Sequence, residues 1–272
     1  MTAALDRAFK ILELLAAHPD GLPLQAIADQ LALPKSAAHR LLADMIQQRY
    51  VRQEREGAPY FLTIRLVALG LSYLARNGIL DVAQPILDRL AVSSGELVRL
   101  SVIENEELTF VAKAQGARFG LRYDPDMGMD VHLASTASGL AWLSTIDDEA
   151  ALSLIYRQGV GESGQFGPNA PRTVREVLDR LHAARERGYA LNLESFAPGM
   201  STVAAPVRDS ESGAAIGVIS IAGPIHRLDE KRLLALAPEL LAATEEMALA
   251  SHASRWFGGR RHASGSAMEA AE

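Results

Sequence analysis

Three side chains near the middle of the chain, His132, Ser135 and Ser138, have the types and spacing of a hydrolytic site. An imidazole beside a hydroxyl can act as base and nucleophile. Ser138, however, lies in an apolar run with helical spacing, where a serine usually packs or bonds to the backbone. The sequence also has neither a G-x-S-x-G nor an H-E-x-x-H motif. We therefore predict that the protein is not an enzyme.

A second candidate is the run Gly159-Val160-Gly161-Glu162-Ser163-Gly164, which matches the G-x-G-x-x-G pattern of dinucleotide sites. Such a site needs a strand before the glycines and a helix after them. Here a helical pattern precedes them and Gln165-Phe166-Gly167-Pro168 follows, so a loop is the better interpretation. The chain has no cysteine, which excludes disulfides, zinc ribbons and thiol nucleophiles. We expect no cofactor and no metal site.

The composition of the 272 residues, 49% hydrophobic and 22% charged, is that of a folded chain rather than a disordered one. No stretch reaches the roughly 18 uninterrupted apolar residues of a membrane span. The start, Met1 to Arg7, lacks the basic-then-apolar order of a signal peptide. These features predict a cytoplasmic protein without a membrane partner. The net charge of −6 argues against a protein that coats nucleic acid indiscriminately.

Charge is divided unevenly along the chain. Residues 1–78 carry nine Lys or Arg and seven Asp or Glu, a net charge of +2. The remainder carries 18 basic and 26 acidic residues, a net charge of −8. The imbalance indicates two domains with different partners, and the first is better suited to approach a polyanion.

The first part of the chain has the pattern of three short helices followed by a hairpin. The segments with apolar residues at helical spacing are Leu5–Ala16, Leu24–Leu31 and Ala38–Met45. Leu33-Pro34 forces a turn before the third helix, because the residue before proline is pushed out of the helical region. Two strand-like runs follow, Tyr50–Arg52 and Tyr60–Leu62. This order predicts a winged helix-turn-helix over residues 1–62.

In a winged helix-turn-helix the third helix enters the major groove, where its polar N-terminal side chains meet base edges and phosphates. The wing touches the neighbouring backbone. The predicted DNA contacts are Lys35, Ser36, His39 and Arg40 of the third helix and Arg52 and Arg55 of the wing. The alternative is a metabolite-sensing protein whose helical N-terminal domain serves dimerisation rather than DNA binding.

Residues 63–79 are predicted to form a linker helix, with Gly78 as its stop. A further helix is predicted over Val82–Leu90, with Pro85 in its first turn. The first turn suits proline because its missing N–H would have no helical partner there.

The rest of the chain alternates strand and helix patterns. Phe119–Tyr123 is predicted to be a strand and Ala134–Leu143 a helix. Mixed hairpins and helices in this order predict an α+β domain over residues 80–255. The tail, residues 256–272, is rich in Gly, Ser and Ala and is predicted to be disordered.

Short motifs occur in a distinctive order along both domains. In the first domain they are Leu24–Ala28, the run Leu33-Pro34-Lys35-Ser36-Ala37-Ala38-His39-Arg40-Leu41-Leu42, Tyr60–Leu62 and Leu66–Gly70. In the second they are Ala137–Gly139, Arg187–Ala190, Glu194, Pro198–Gly199, Val203–Val207 and Ser220–Pro224. Together they resemble the IclR (isocitrate lyase regulator) family of transcriptional regulators over residues 3–250, with Ala37 where that family usually has Thr.

The resemblance implies a winged helix-turn-helix DNA-binding domain followed by a GAF-like effector-binding domain. The positions that match the family's effector contacts are Met127, Gly128, Ser135, Ser138, Asn192, Thr202 and Ser220. An alternative is that these are ordinary hydrogen-bonded strand residues. Because one recognition helix covers only half a site, the regulator is expected to be a dimer or a dimer of dimers.

The same positions indicate the chemistry of the effector. Asn192 stands where the family often has Asp, and the lost carboxylate makes the pocket less hostile to an anion. A helix start near Ser135 offers N–H groups to that anion. The predicted apolar walls are Leu121, Val203 and Ile219. We therefore predict a regulator of double-stranded operator DNA that responds to a small organic acid, with aromatic acids among the candidates.

Overall fold

A computed structural model describes residues 3–125, 131–161 and 164–251 of the chain. The chain divides into two compact units, Met1–Arg76 and Asn77–Glu272. The predicted effector contacts Met127 and Gly128 and the predicted disordered tail, residues 256–272, lie outside the described residues.

The first unit is a winged helix-turn-helix. Its elements are α1 (Ala3–Ala16), α2 (Leu24–Gln30), α3 (Lys35–Gln47), β1 (Val51–Gln53), β2 (Tyr60–Leu62) and α4 (Ile64–Asn77). Strands β1 and β2 pair antiparallel and form the wing. The buried core consists of Ile11, Leu15, Ile27, Leu42, Met45, Val51 and Tyr60. Helices α1, α2 and α3 therefore each contribute an apolar stripe to one core.

Helix α3 begins directly after Pro34. The carbonyl of Pro34 accepts the first helical hydrogen bonds, from Ala37 and Ala38. Ala38, Leu42 and Met45 face the core at helical spacing. The opposite side of the helix is consequently left to solvent.

The second unit is a GAF-like α+β domain. Its helices are α5 (Ile79–Ser94), α6 (Ala137–Leu143), α7 (Asp148–Gln158), α8 (Val174–Arg187) and α9 (Glu230–Ala250). Its strands are β3 (Leu97–Glu104), β4 (Glu107–Gln115), β5 (Ala190–Leu193), β6 (Met200–Arg208) and β7 (Ala215–Pro224). The strands form one antiparallel sheet in the order β4-β3-β7-β6-β5. Helices α5 and α9 pack on one face of this sheet, and α6 and α8 pack on the other.

The strand register decides which side chains share a face of the sheet. Arg99 of β3 lies opposite Ser220 of β7, which in turn lies opposite Ala204 of β6. Thr202, two residues before Ala204, lies opposite Asn192 of β5. Because side chains alternate between faces along each strand, these five all lie on the face that α6 covers.

Helix α5 begins earlier than the sequence predicts. The predicted start was Val82 with Pro85 in the first turn, but the helix begins at Ile79, after a Gly78 with φ of 65°. Ile79 is buried in the domain core, and its packing extends the helix toward the N-terminus. Pro85 therefore lies inside the helix. Asp81, whose carbonyl loses its helical partner to this proline, is exposed to solvent.

The predicted strand Phe119–Tyr123 does not form. Gly120 has a φ of 75°, which breaks the extended conformation, and Leu121 is exposed. The segment instead returns along β4, where the carbonyl of Tyr123 accepts a hydrogen bond from the Gln115 side chain at 3.0 Å. The Tyr123 ring is thereby directed to the α6 side of the sheet.

Candidate effector pocket and DNA-facing surface

Helix α6 begins at Ala137 rather than at the predicted Ala134. The turn before the helix is held by the hydroxyl of Thr136, which donates to the carbonyl of His132 at 2.7 Å. Thr136 also caps the helix by accepting a hydrogen bond from the N–H of Gly139 at 3.0 Å. The cap occupies an N–H group that the sequence analysis assigned to an anion, so the start of α6 is a weaker anion site than predicted.

A cavity of about 130 Å³ lies between this turn and the sheet. Its size is close to the roughly 150 Å³ of an apolar protein cavity that binds benzene, so it suits a ligand with a single ring. The apolar lining comes from Phe110, Pro125, Val131, Ala137, Phe196, Ala197 and Met200. The polar lining comes from Arg99, Tyr123, His132, Thr136, Ser138, Asn192 and Thr202. An apolar enclosure with a few convergent polar groups is typical of a small-molecule site.

Three of the effector contacts predicted from the sequence line this cavity, namely Ser138, Asn192 and Thr202. Two others do not reach it. Ser135 is fully buried, and its hydroxyl lies 2.7 Å from the ring of His132. Ser220 shares a sheet face with the cavity, but its side chain is not part of the lining.

The predicted apolar walls are wrong. Leu121 is exposed on the segment that fails to form a strand. Val203 and Ile219 each lie next to a residue of the cavity face, so their side chains point to the opposite face of the sheet. The walls are formed instead by rings such as Phe110 and Phe196.

Asn192 joins strand β5 to the turn before α6. Its side-chain amide donates to the carbonyl of Ser135, and its side-chain carbonyl accepts from the N–H of Ser195 at 3.1 Å. Both ends of the amide are therefore engaged in the fold, which leaves one N–H of Asn192 for a ligand.

The cationic group of the cavity is Arg99, which the sequence analysis missed. It comes from the middle of β3 and is 8% exposed. Its guanidinium carbon lies 3.6 Å from the centre of the Phe110 ring and 5.8 Å from that of Tyr123. A charged residue in the otherwise apolar run Leu97-Val98-Arg99-Leu100 was the available signal, because arginine is rarely buried without a partner.

Burial changes the ionisation of two groups in the cavity. It lowers the pKa of Arg99, since the charged guanidinium has little water around it, and it raises the pKa of Tyr123 for the same reason. The contact between the two side chains opposes both shifts. The cavity therefore holds a desolvated cation beside a neutral phenol.

The hydrogen bonds of the turn before α6 place an uncharged imidazole at His132. Its Nδ1 accepts a hydrogen bond from the N–H of Ser135 at 3.2 Å, which requires the proton to sit on Nε2. Its ring centre lies 4.3 Å from that of Phe166. Burial lowers the pKa of His132, and a hydrogen bond to the backbone of Gly159 partly offsets this shift.

His132→Gln is expected to reduce the loss of stability on acidification. Because the folded pKa lies below the ordinary value of 6.5, the unfolded chain takes up the proton first. Stabilisation by neutral His132 is thus complete above pH 6.5 and is lost as the pH falls toward the folded pKa. Urea unfolding of both proteins at a series of pH values measures this. A stability difference that stays constant over the range would contradict the expectation.

The exposed side of α3 carries the residues predicted to contact DNA. Lys35, Ser36, His39 and Arg40 are all exposed. The N–H groups of Lys35 and Ser36 precede the first helical hydrogen bonds, so they point out of the helix start, where the helix dipole favours a phosphate.

The two predicted wing residues differ in their surroundings. Arg52 pairs with Glu54 at 3.1 Å and lies over the Phe61 ring at 4.5 Å, whereas Arg55 is exposed in the hairpin turn. Arg52 and Glu54 are both more than half exposed, and such a pair contributes little to stability. The ion pair therefore leaves the Arg52 side chain about half exposed to solvent.

Two family descriptions match the chain. The one described as "IclR helix-turn-helix domain" matches residues 4–55, and the one described as "Bacterial transcriptional regulator IclR C-terminal" matches residues 71–249. The chain belongs to the IclR family. It is accordingly a DNA-binding transcriptional regulator of the IclR type. The alternative prediction, a helical domain used only for dimerisation, is not favoured.

Relatives along nearly the whole length agree with this IclR assignment. The chain is 30% identical over 260 residues to the acetate operon repressor of Salmonella typhimurium, which covers 95% of this chain and 91% of the relative. It is 29% identical over 260 residues to the transcriptional repressor IclR of Escherichia coli, again with 95% and 91% coverage.

Solved IclR-family structures share the fold. An IclR transcriptional regulator from Alicyclobacillus acidocaldarius has a TM-score of 0.79 at 21% identity, covering 92% of this chain and 99% of that one. An IclR homolog from Microbacterium hydrocarbonoxydans, solved in complex with 4-hydroxybenzoate, has a TM-score of 0.76 at 21% identity, with 93% and 100% coverage.

No single described helix is both long and apolar enough to cross a membrane, and α4 and α5 meet that test only when counted together. Within the same residues, no group of three or more His, Asp or Glu side chains could hold a metal ion.

Proposed function

We propose that this IclR regulator changes its affinity for operator DNA when a small organic acid occupies the cavity between the sheet and α6. The observation that carries the proposal is the cavity itself, an apolar enclosure of about 130 Å³ with a buried cation in its wall. An apolar enclosure favours a ring or short alkyl chain, and the cation favours an anionic group on it. The 4-hydroxybenzoate bound to the Microbacterium homolog is a ligand of this kind.

The cavity is proposed to bind its ligand without converting it. Ser135, the hydroxyl nearest to an imidazole, is fully buried and does not line the cavity. A nucleophile must reach its substrate, and this hydroxyl does not. The regulator is therefore a binding protein rather than an enzyme in our proposal, and it acts in the cytoplasm, where its operator lies.

The proposal is tested by a thermal-shift screen of small organic and aromatic acids, followed by an operator-binding assay with each hit. A ligand at a hundred times its dissociation constant stabilises the domain by about 2.7 kcal/mol, which raises the Tm by several degrees. Each hit is expected to change operator affinity. Acids that bind without altering operator affinity would contradict the proposal.

We also propose that α3 reads the operator through Lys35, Ser36, His39 and Arg40, and that Arg52 and Arg55 contact its backbone. Arg40 lies on the exposed side of α3, one turn beyond Ser36. A guanidinium at this place can bind the O6 and N7 atoms of guanine with two hydrogen bonds. The other cations neutralise phosphates and set the register of the helix.

Arg40→Ala is expected to weaken operator binding by about 1–3 kcal/mol and to relax specificity at one base pair. Fluorescence anisotropy with an operator selected from random DNA by the wild-type protein measures the change. Arg187→Ala, which removes the same charge from the exposed side of α8, is the matched control and should leave affinity unchanged. Equal operator affinities of Arg40→Ala and the control would show that Arg40 does not contact the operator.

The regulator is further proposed to act as a dimer or a dimer of dimers. Helix α4 exposes Ile64, Val67 and Leu71, which lie on one side of the helix at helical spacing. An exposed apolar stripe of this kind is suited to a second copy of the same helix. Two copies would supply the two recognition helices that a two-fold operator needs.

A further inference from the structure

We propose that Arg99 is the residue that distinguishes acids from neutral ligands, by binding the effector's carboxylate through its guanidinium. This inference rests on the proposed function, since it assigns a role within the same cavity. It replaces the weaker anion site that the sequence analysis placed at the start of α6.

The guanidinium of Arg99 lines the cavity without a counter-charge. Phe110 covers a face of the group at 3.6 Å from the ring centre, and Tyr123 hydrogen-bonds to it. Among the described residues, no carboxylate pairs with Arg99, and its buried Nε has no hydrogen-bond partner. A guanidinium that is held by aromatic rings and retains an unpaired N–H is suited to bind a planar carboxylate.

A buried guanidinium without a counter-charge is costly to the fold. Arg99 is 8% exposed, and burial lowers its pKa despite the contact with Tyr123. The contacts inside the protein therefore do not compensate fully for the water that Arg99 loses. A ligand carboxylate supplies the missing charge, and this makes the ligand-free state less stable than the bound one.

The cavity also limits which anions fit. Its volume of about 130 Å³ suits one ring, and among its described lining residues Arg99 is the cation, because His132 is neutral. The single positive charge of Arg99 balances a ligand with one negative charge. The rings of Phe110 and Phe196 add flat apolar walls. The expected ligand class is a monocarboxylate on a single ring, rather than a phosphate or a dicarboxylate.

The test compares benzoate and 4-hydroxybenzoate with benzamide and 4-hydroxybenzamide on the full chain, by calorimetry and thermal shift. The wild-type protein is expected to bind the acids more tightly than the amides. Arg99→Met should weaken acid binding by at least about tenfold, the loss expected for a charged hydrogen bond, and should change amide binding by less than about threefold. Arg99→Lys should keep part of the preference for acids. Arg122→Met, which removes an exposed cation nearby, is the matched control and should bind as the wild type does.

The ligand-free Tm separates this role from a merely structural one. If Arg99 only packs against Phe110, Arg99→Met lowers the Tm and weakens acids and amides alike, and the proposal is overturned. If Arg99 instead serves to bind a carboxylate, its buried charge destabilises the ligand-free protein. The ligand-free Tm of Arg99→Met is then equal to or higher than that of the wild type. The Lys variant remains informative should the Met variant fold poorly.

Failure of this inference is distinguishable from failure of the proposed function. A wild-type protein that binds none of the acids, or binds amides more tightly, overturns the role of Arg99. If the protein binds amides more tightly and the bound amide changes operator affinity, the proposal that a small molecule in the cavity regulates DNA binding is retained. Conversely, acids that bind through Arg99 without changing operator affinity support the inference and contradict the proposed function.

Discussion

Removal of residues 1–76 is expected to abolish specific operator binding and to leave a fragment that folds and still binds the acid effector. The reason is that the fragment keeps the whole sheet, both helical layers and the cavity, and loses α3 together with the wing. The affinity for operator should fall by more than about 10³-fold, the ratio that separates specific from non-specific binding. The boundary proposed for this cut is at Asn77, where the two compact units meet along the sequence.

Circular dichroism, thermal shift with benzoate and operator anisotropy measure these three properties of the fragment. The full-length chain is the control, and its stabilisation by effector should match that of the fragment, because the cavity is lined entirely from the second unit. A fragment that aggregates would show that the boundary is wrong. A fragment that retains specific operator binding would show that α3 is not the reading element.

Gly139→Ala is expected to destabilise the second unit by about 1–3 kcal/mol or more and to weaken effector binding. Gly139 lies in the first turn of α6, and a Cβ built there would lie 2.3 Å from the carbonyl oxygen of Leu133 and 2.4 Å from its Cα. Those atoms belong to the backbone of the turn before α6, so the turn must shift to make room. His132 and Thr136 of that turn line the cavity, and they would shift with it.

Gly70→Ala is the matched control for this prediction, since Gly70 lies inside α4 and a Cβ there meets no atom within 4 Å. Without a clash, alanine is favoured over glycine inside a helix by up to about 1 kcal/mol. The two substitutions are thus expected to shift stability in opposite directions, as urea unfolding measures. A stabilising effect of Gly139→Ala would show that the turn does not pack closely on α6.

The helical spacing of the first domain was enough to predict its fold. Apolar residues such as Leu42 and Met45 recur at helical spacing, and Pro34 pushes the residue before it out of the helical region, so the position and exposed side of α3 follow from local rules. The alternation of strand and helix patterns likewise predicted the α+β class of the second domain. The local rules failed at Ile79, where burial in the domain core extends α5 beyond the start that Pro85 suggested.

The cavity could be predicted only in part, because it depends on contacts between distant segments. Asn192 and Thr202 were assigned through the family resemblance, and both line it. The combination of Arg99 with Tyr123 could not be foreseen, since no periodicity relates a residue of β3 to an irregular segment after β4. Val203 was placed on the wrong side because an apolar strand buried on both faces gives no indication of which face meets the ligand.

Strand β4 forms an outer edge of the sheet, and unpaired edges invite aggregation with other chains. In this protein the segment that carries Tyr123 returns along that edge, where Asp124 pairs with Lys113 and the N–H of Val131 donates to the carbonyl of Leu108 at 3.0 Å. The residues that close the cavity thus also shield the edge. A change that loosens this segment would open the cavity and would also expose the unpaired edge of β4 to other chains. The contacts that enclose the effector are therefore expected to protect the protein from aggregation as well.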